Sequence, residues 1–441
     1  PVRIIFQIDA FGAFMLLSAS IVSFAVVLYL IASQKERSGK PAFYAIYLLL
    51  TAGIFGMVST GDLFNFFVFL EINSLSASAL VSYHRRGGFA AEGAFKYCVM
   101  NTIGGMMVLF AIGLLYAQYN SLNMAVIAAN ISLTTLNVLA LVLFLTALCL
   151  KAGAVPFHFA TPDAYSVAPS GITALMVVAS QAGLYGLFRI LFTVYGGVFN
   201  AAVIGWIIIV IGILSMVIGV TMAIPQKDVK RLLSYHAVSQ TGYMLLGVGV
   251  ALAVLGDPAS MEAFGQTSME GGLFHIFNHA LYKGLLFLAV GAVIYRTGVW
   301  SLNKMGGLGH SMKLTSVFFL IGALAIAGIP PFNGFASKLM IYESTFAFSP
   351  ILSIIAMVVS ILTLASFMKV FHSIFMGPKQ PEFDKVREVP KPMIIAMIIL
   401  TIFVIGFGIF PDIVVDNIIS PAATALLDKG AYIMSVFGGG L

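Results

Sequence analysis

Residues 148–165 read LCLKAGAVPFHFATPDAY, and residues 325–343 read AIAGIPPFNGFASKLMIYE. Each lies in an apolar stretch long enough to cross a bilayer, and each carries helix breakers at its centre. In the first, Pro156 and Pro162 follow Lys151; in the second, Gly328, Pro330, Pro331 and Gly334 precede Lys338. Proline removes a backbone donor and clashes with the preceding turn. Unwound backbone inside a membrane is tolerated only where protein or a wet cavity satisfies it. Both stretches therefore predict interrupted membrane helices with a lysine beside the break.

The rest of the 441-residue chain supports that setting. It is 60% hydrophobic and 9% charged, with a mean hydropathy of +1.03, whereas a soluble protein is about a quarter charged. This composition excludes a soluble enzyme, a nucleic-acid reader and a disordered scaffold. Runs of about 20 apolar residues suffice to span. Twelve can be read, near 9–33, 42–60, 62–84, 94–117, 135–165, 167–195, 199–222, 228–252, 268–295, 313–346, 350–376 and 391–411. Beyond 411 the chain is apolar but interrupted by Pro421 and by charges, which predicts an interfacial or docking helix. Cys98 and Cys149 lie inside apolar runs, so neither a disulfide framework nor a zinc site is expected.

Counting spans turns the two breaks into a symmetry. Each broken segment is the fourth of five in a consecutive block, near 42–195 and 199–376. Five is odd, so the second block starts on the opposite side of the membrane. The expected fold is one all-α polytopic membrane domain over 1–441. It holds two inverted five-helix repeats with paired discontinuous helices, then a C-terminal span and docking segment over 391–441. Paired broken helices in inverted repeats point to a transport path; the plainer alternative is that Pro and Gly merely kink packed helices.

Charge orients this arrangement. Lys35, Arg37, Lys40, Arg85, Arg86, Lys227, Lys230, Arg231, Arg296, Lys304, Lys313, Lys379, Lys385, Arg387 and Lys391 fall on one face, 15 of 23 basic residues. The other face carries Arg3 and Lys429. The positive-inside rule then turns both visible ends outward.

A charge near the bilayer centre costs a few kcal/mol on the gentlest scale, so ionisable residues within spans mark candidate function. Glu71 stands mid-span in GDLFNFFVFLEINSLSASALVSY (61–83), and Lys151 on the first broken helix is its candidate partner. The plain reading is a structural ion pair or a neutral carboxyl. His275, His279 and Lys283 follow one another at steps of four, sharing one helix face. Wired by water, such a stack can pass protons; the alternatives are a metal pair or histidines bonded to nearby carbonyls. Lys338 is the candidate of the second break. His158 and Asp163, just past Lys151, are candidates for the mouth of a half-channel. His236 is equally consistent with packing. Lys369 is expected to snorkel, Arg189 to snorkel or to meet a backbone break, and Glu262 and Glu270 to be solvated in an outer loop.

No Walker loop, Gly-rich dinucleotide fingerprint or cysteine cluster appears, so the chain is expected to have no catalytic centre and no cofactor of its own. Two other functions compete with proton movement: a stand-alone carrier for a small solute, and an inert membrane anchor whose charges only hold helices together.

Five ordered runs carry a family resemblance: GDLFNFFVFLEINSLSA (61–77), LKAGAVPFHFATPDAYSVAPSGITALM (150–176), DVKRLLSYHAVSQTGYMLLG (228–247), HIFNHALYKGLLFLAVGAVIY (275–295) and AGIPPFNGFASK (327–338). Over about residues 9–411 the chain resembles the antiporter-like subunits shared by Mrp-type cation/proton antiporters and respiratory complex I. DLFN before the glutamate is most similar to the Mrp D-type subunit, and a similar subunit occurs in energy-converting membrane-bound hydrogenases.

The resemblance implies a fourteen-span fold; QIDAFGAF (7–14) resembles the start of the third span, so the first two would be missing here. It implies that Glu71 and Lys151 form the first half-channel pair, that His275, His279 and Lys283 lie on a central hydrophilic axis, and that Lys338 is the terminal lysine of the second half-channel. It further implies a place in a multisubunit complex in the plasma membrane of a prokaryote, among lipid and other antiporter-like or small subunits. Redox-linked members add a peripheral Fe–S arm. Protons are the implied cargo, with Na+ left open. Two departures leave the continuity of the first half-channel open: ALMVVASQAGLYG (174–186) offers only Gln181 where relatives often carry lysine or histidine, and Ser239–Gln240 stands where many have histidine.

Overall fold

The computed structural model describes residues 4–34, 39–83, 87–378 and 380–437. Arg3, Lys35, Arg37, Arg85, Arg86 and Lys379, used above to orient the chain, lie outside the described residues. The first helices are α1 (Ala10–Ser33), α2 (Lys40–Ser59), α3 (Leu63–Ser82), α4 (Gly87–Tyr119) and the short α5 (Met124–Asn130). The first broken segment is α6 (Thr135–Lys151) and α7 (Ala160–Val167), followed by α8 (Ser170–Phe188), which continues as a π-helical turn over Arg189–Tyr195. Then come α9 (Ala201–Ala223), α10 (Val229–Ala253), the single turn α11 (Pro258–Ser260) and α12 (Gln266–Thr297). The second broken segment is α13 (Lys313–Ala327) and α14 (Asn333–Phe348). It is followed by α15 (Pro350–Phe375), α16 (Lys391–Ile409) and three short helices, α17 (Pro411–Val414), α18 (Ser420–Leu427) and α19 (Lys429–Phe437).

Among the described residues nine helices are long and apolar enough to cross a membrane. The more polar α10 and the two interrupted segments complete the crossings expected from the sequence. The starts are set locally, by side chains that accept from otherwise unpaired backbone amides. Asp9 accepts from Gly12, Thr134 from Asn137 and Asn200 from Val203.

The two five-member blocks share detail as well as order. Asp62 caps α3 and Asp228 caps α10, each the second helix of its block. Each aspartate also forms an isolated antiparallel bridge to a residue just after the third helix, Asp62 to Asn123 and Asp228 to Ser301. The broken fourth segments turn at glycines in the left-handed region, Gly153 (φ +70) and Gly328 (φ +76), a conformation that costs glycine little.

Burial divides the helices by chemistry. Apolar α9 and α15 expose one side, with Val210 and Ile361 among the residues left uncovered. By contrast α8, α10 and α12 are enclosed by other helices almost all round. Those three carry Gln181, His236, Gln240, His275, His279 and Lys283, which need protein partners away from water.

The C-terminal segment folds back onto the bundle. Ser420 donates to Glu270 Oε1 at 2.7 Å, and Lys429 donates to the carbonyls of Val194 and Tyr195. This corrects the expectation that Glu270 lies solvated in a loop: it is on α12, 8% exposed, because the returning chain covers it. Arg189 is neither snorkelling nor at a break. Its guanidinium grips Asp9 with two 2.7 Å bonds and lies within 5.2 Å of the ring centroids of Phe11, Tyr185 and Tyr432. Asp9 caps a helix far away in sequence, so the pairing depends on how α1 packs against α8.

Candidate functional site

Glu71 and Lys151 meet. Lys151 Nζ lies 3.5 Å from Glu71 Oε1 and donates to Ser74 Oγ at 2.6 Å. Ser74 is one turn beyond Glu71 on α3, so a single helix face presents both groups to the lysine. Space for the carboxylate comes from α4, since a Cβ built at Gly105 would lie 2.0 Å from Glu71 Oε1. On the far side, a Cβ at Gly183 of α8 would approach Lys151 Cβ to 3.1 Å. A narrow polar cavity of about 10 Å³, lined by Asn73, Ser74, Tyr97, Asn101 and Lys151, adjoins the lysine. That is room for about one water.

The α12 series is buried throughout. His275 Nδ1 is 3.0 Å from Ser337 Oγ, and its Nε2 is 3.1 Å from Gln240 Oε1 and 3.2 Å from the Tyr282 hydroxyl. His279 Nδ1 is 2.9 Å from the amide nitrogen of Gln181 on α8. Lys283 Nζ donates to the Leu233 carbonyl at 2.6 Å and lies 5.6 Å from the Phe367 ring centroid. Gln181 and Gln240 are thus the residues that sequence reading treated as gaps. Their amides reach the histidines directly.

Lys338 completes the row through its neighbour Ser337, which contacts His275. Its ammonium donates to the Ile326 carbonyl at 2.8 Å and to Ser360 Oγ at 2.9 Å, over the Tyr243 ring at 4.6 Å. Gly328 turns the chain two residues past Ile326, so this carbonyl stands at the end of α13, where no further turn of helix follows to take it. The break supplies the acceptor that lets a cation be buried there.

His158 and Asp163 divide. His158 is buried, stacks on Phe159, and has a ring Nδ1 with no protein partner. Asp163 bridges two half-exposed cations, Lys96 at 3.1 Å from α4 and Arg231 at 2.8 Å from α10. It therefore ties the first block to the second at the edge of the bundle. His236 bonds Ser366 Oγ at 2.8 Å and packs against the Phe367 ring at a tilt of 47°. Lys369 reaches the Ile224 carbonyl from an exposed position, as a snorkelling side chain would.

Several buried polar atoms around α8, α10, α12 and α14 have no protein partner: Gln181 Oε1, Gln240 Nε2, His279 Nε2, Asn278 Oδ1 and both amide atoms of Asn333. Buried polar groups are nearly always bonded to protein or to water. These atoms cluster along the row of buried ionisable groups. Sequence reading found its ionisable members and missed the amides.

Known proteins share this architecture. Over 99% of its own length and 86% of the relative, the chain is 32% identical to the D-type subunit of the Na(+)/H(+) antiporter of Alkalihalophilus pseudofirmus. It is 33% identical to the N-type subunit of the NADH-quinone oxidoreductase of Desulforudis audaxviator, over 86% of this chain and 76% of that one. It also matches the A-type subunit of the A. pseudofirmus Na(+)/H(+) antiporter at 34% identity, spanning about half (52%) of that longer protein. Among solved structures, a chain of the Mrp complex from Dietzia sp. DQ12-45-1b superposes with a TM-score of 0.88 at 28% identity, covering 99% of this chain and 87% of that one. A chain of the membrane-bound sulfane sulfur reductase, an archaeal respiratory membrane complex, superposes at 0.87 with 29% identity, over 99% and 86%. Residues 60–363 match the family described as NADH:quinone oxidoreductase/Mrp antiporter, TM, and to that family of membrane proteins the chain belongs.

Proposed function

We propose that this chain is a proton-translocating, antiporter-like subunit of a multisubunit membrane complex, with no catalytic centre of its own. The observation that supports it best is the row of buried ionisable groups joining two broken helices: Glu71–Lys151 at one end, His279 and His275 along α12, and Lys338 at the other. In this reading Lys151, when charged, stabilises ionised Glu71 across 3.5 Å. Separating the pair lets the lysine give its proton toward His279 and Lys283, and a proton leaves past Lys338. At an effective dielectric near 20, such a contact is worth about 5 kcal/mol, enough to switch a lysine between states.

The two blocks act as inverted repeats, near 42–195 and 199–376. His158 and Asp163 form the mouth of the first half-channel, beside Lys96 and Arg231. In this reading the chain lies in the plasma membrane of a prokaryote with its visible ends outward, among lipid and other membrane subunits; the support from its relatives is that they are named as subunits of a complex. A peripheral Fe–S arm and a share of the path for Na+ are further parts of this reading.

The test is proton flux in vesicles holding the complex. Glu71→Gln or Lys151→Ala should abolish flux while the subunits still copurify; wild-type flux in either variant overturns the reading.

A further inference from the structure

The two glutamines treat their histidines differently, and hydrogen-bond chemistry decides how. Gln181 Nε2 lies 2.9 Å from the Ile276 carbonyl and 2.9 Å from His279 Nδ1. A carbonyl oxygen only accepts, so the amide atom against Ile276 must be the nitrogen; the reverse orientation would press two oxygens together. That nitrogen carries two hydrogens, one for Ile276 and one for Nδ1. His279 Nδ1 is therefore an acceptor, and the single proton of the neutral ring is on Nε2. Both side chains are 1% exposed, so the arrangement is not averaged out by solvent.

His275, one turn earlier, meets the opposite end of an amide: Gln240 Oε1, which only accepts, lies 3.1 Å from its Nε2, so the neutral ring carries its proton there. Its Nδ1 faces the Ser337 hydroxyl, which can donate or accept by rotating, so no fixed donor is held against that nitrogen as Gln181 is held against His279.

We infer that Gln181 is a positioning residue that holds His279 in the Nε2–H tautomer, so that a proton passes His279 only when the Gln181 amide swings away from Nδ1. In that step one proton enters at Nδ1 and forms an N–H bond while the Nε2–H bond breaks, its proton passing to a water, because no protein group bonds Nε2. The ring is then neutral with its proton on Nδ1, facing the amide N–H groups. Only a swing that presents Oε1, an atom with no protein partner in the observed arrangement, restores a donor–acceptor match. Gln181 belongs to α8, the last helix of the first block, and His279 to α12 of the second. The amide thus controls the crossing between the blocks. This inference rests on the proton path proposed above.

The experiment is ¹⁵N NMR of the full chain in lipid bilayers with labelled histidine, the His279 signals being assigned by difference against His279→Asn. The expected wild-type spectrum shows His279 protonated on Nε2 with Nδ1 bare. Gln181→Glu, whose carboxylate only accepts, should move the proton to Nδ1 and cut proton flux at least tenfold. Gln181→Leu, similar in size and uncharged, should give a mixture of both tautomers, and the His275 signals should stay unchanged in both variants. A wild-type ring protonated on Nδ1, or tautomers that ignore both substitutions, overturns the assignment. A shifted tautomer with wild-type flux overturns the gating role. Flux that survives Glu71→Gln instead removes the path itself, whatever the His279 spectrum shows.

Discussion

Gly105 offers a test of the Glu71–Lys151 pair that touches neither charge. A Cβ there would lie 2.0 Å from Glu71 Oε1 and 2.8 Å from Cδ, whereas ordinary contact begins near 3.4 Å. The obstructing atoms are the far end of a flexible side chain, so the carboxylate moves and the helices stay. A shift of about 1.4 Å directly away from the new methyl, if it lengthens the ion pair equally, takes the 3.5 Å contact to about 4.9 Å. At an effective dielectric of 20 the attraction falls from about 4.7 to about 3.4 kcal/mol. The difference, about 1.4 kcal/mol, is roughly tenfold in the equilibrium between paired and separated states. Gly105→Ala should therefore change proton flux in vesicles by up to tenfold at unchanged assembly. Gly113→Ala on the same helix is the control, because a Cβ there meets nothing within 4 Å. Alanine also favours helix over glycine by about 1 kcal/mol, so neither variant should melt earlier. Wild-type flux in Gly105→Ala, with the alanine present and the complex intact, would refute the role given to the pair.

Further outcomes follow from other contacts. Lys338→Ala leaves the Ile326 carbonyl without its donor, while Ser360 keeps its bond to the Ala327 carbonyl; flux should vanish, and thermal unfolding should show a loss of about 1–3 kcal/mol for the unpaired carbonyl. Arg189→Leu strands the Asp9 carboxylate, and removing one member of a buried pair costs about 3–5 kcal/mol; a marked drop in melting temperature is expected, with a smaller one for Asp9→Asn. Asp163→Asn breaks two half-exposed pairs that solvent screens, so stability should barely change and any loss of flux should report on the mouth. Glu270→Ala removes the acceptor of Ser420 and should raise amide hydrogen exchange across residues 411–437 without altering the exchange of α10.

Much of this protein is legible in one dimension. Apolar runs of bilayer length, interrupted twice at Pro and Gly beside lysine, specify an all-helical membrane protein with two broken helices, because backbone in hydrocarbon has few ways to satisfy its hydrogen bonds. Helical spacing of four puts His275, His279 and Lys283 on one face, and the cost of charge in a membrane makes Glu71, Lys151 and Lys338 conspicuous.

What the sequence could not supply were relations between residues far apart in the chain. Arg189 looked like a snorkelling cation until the packing of α1 against α8 brought Asp9 to it from 180 residues away. Glu270 looked solvated until the C-terminal segment folded back over it. Gln181 and Gln240 looked like gaps because an amide carries no charge to advertise itself, yet a buried amide takes its function from whatever acceptor or ring nitrogen the neighbouring helix presents. Periodicity and the cost of burial determined which residues lie inside the membrane. Only tertiary packing, which sets distances of a few ångströms between separate helices, decided which of them meet.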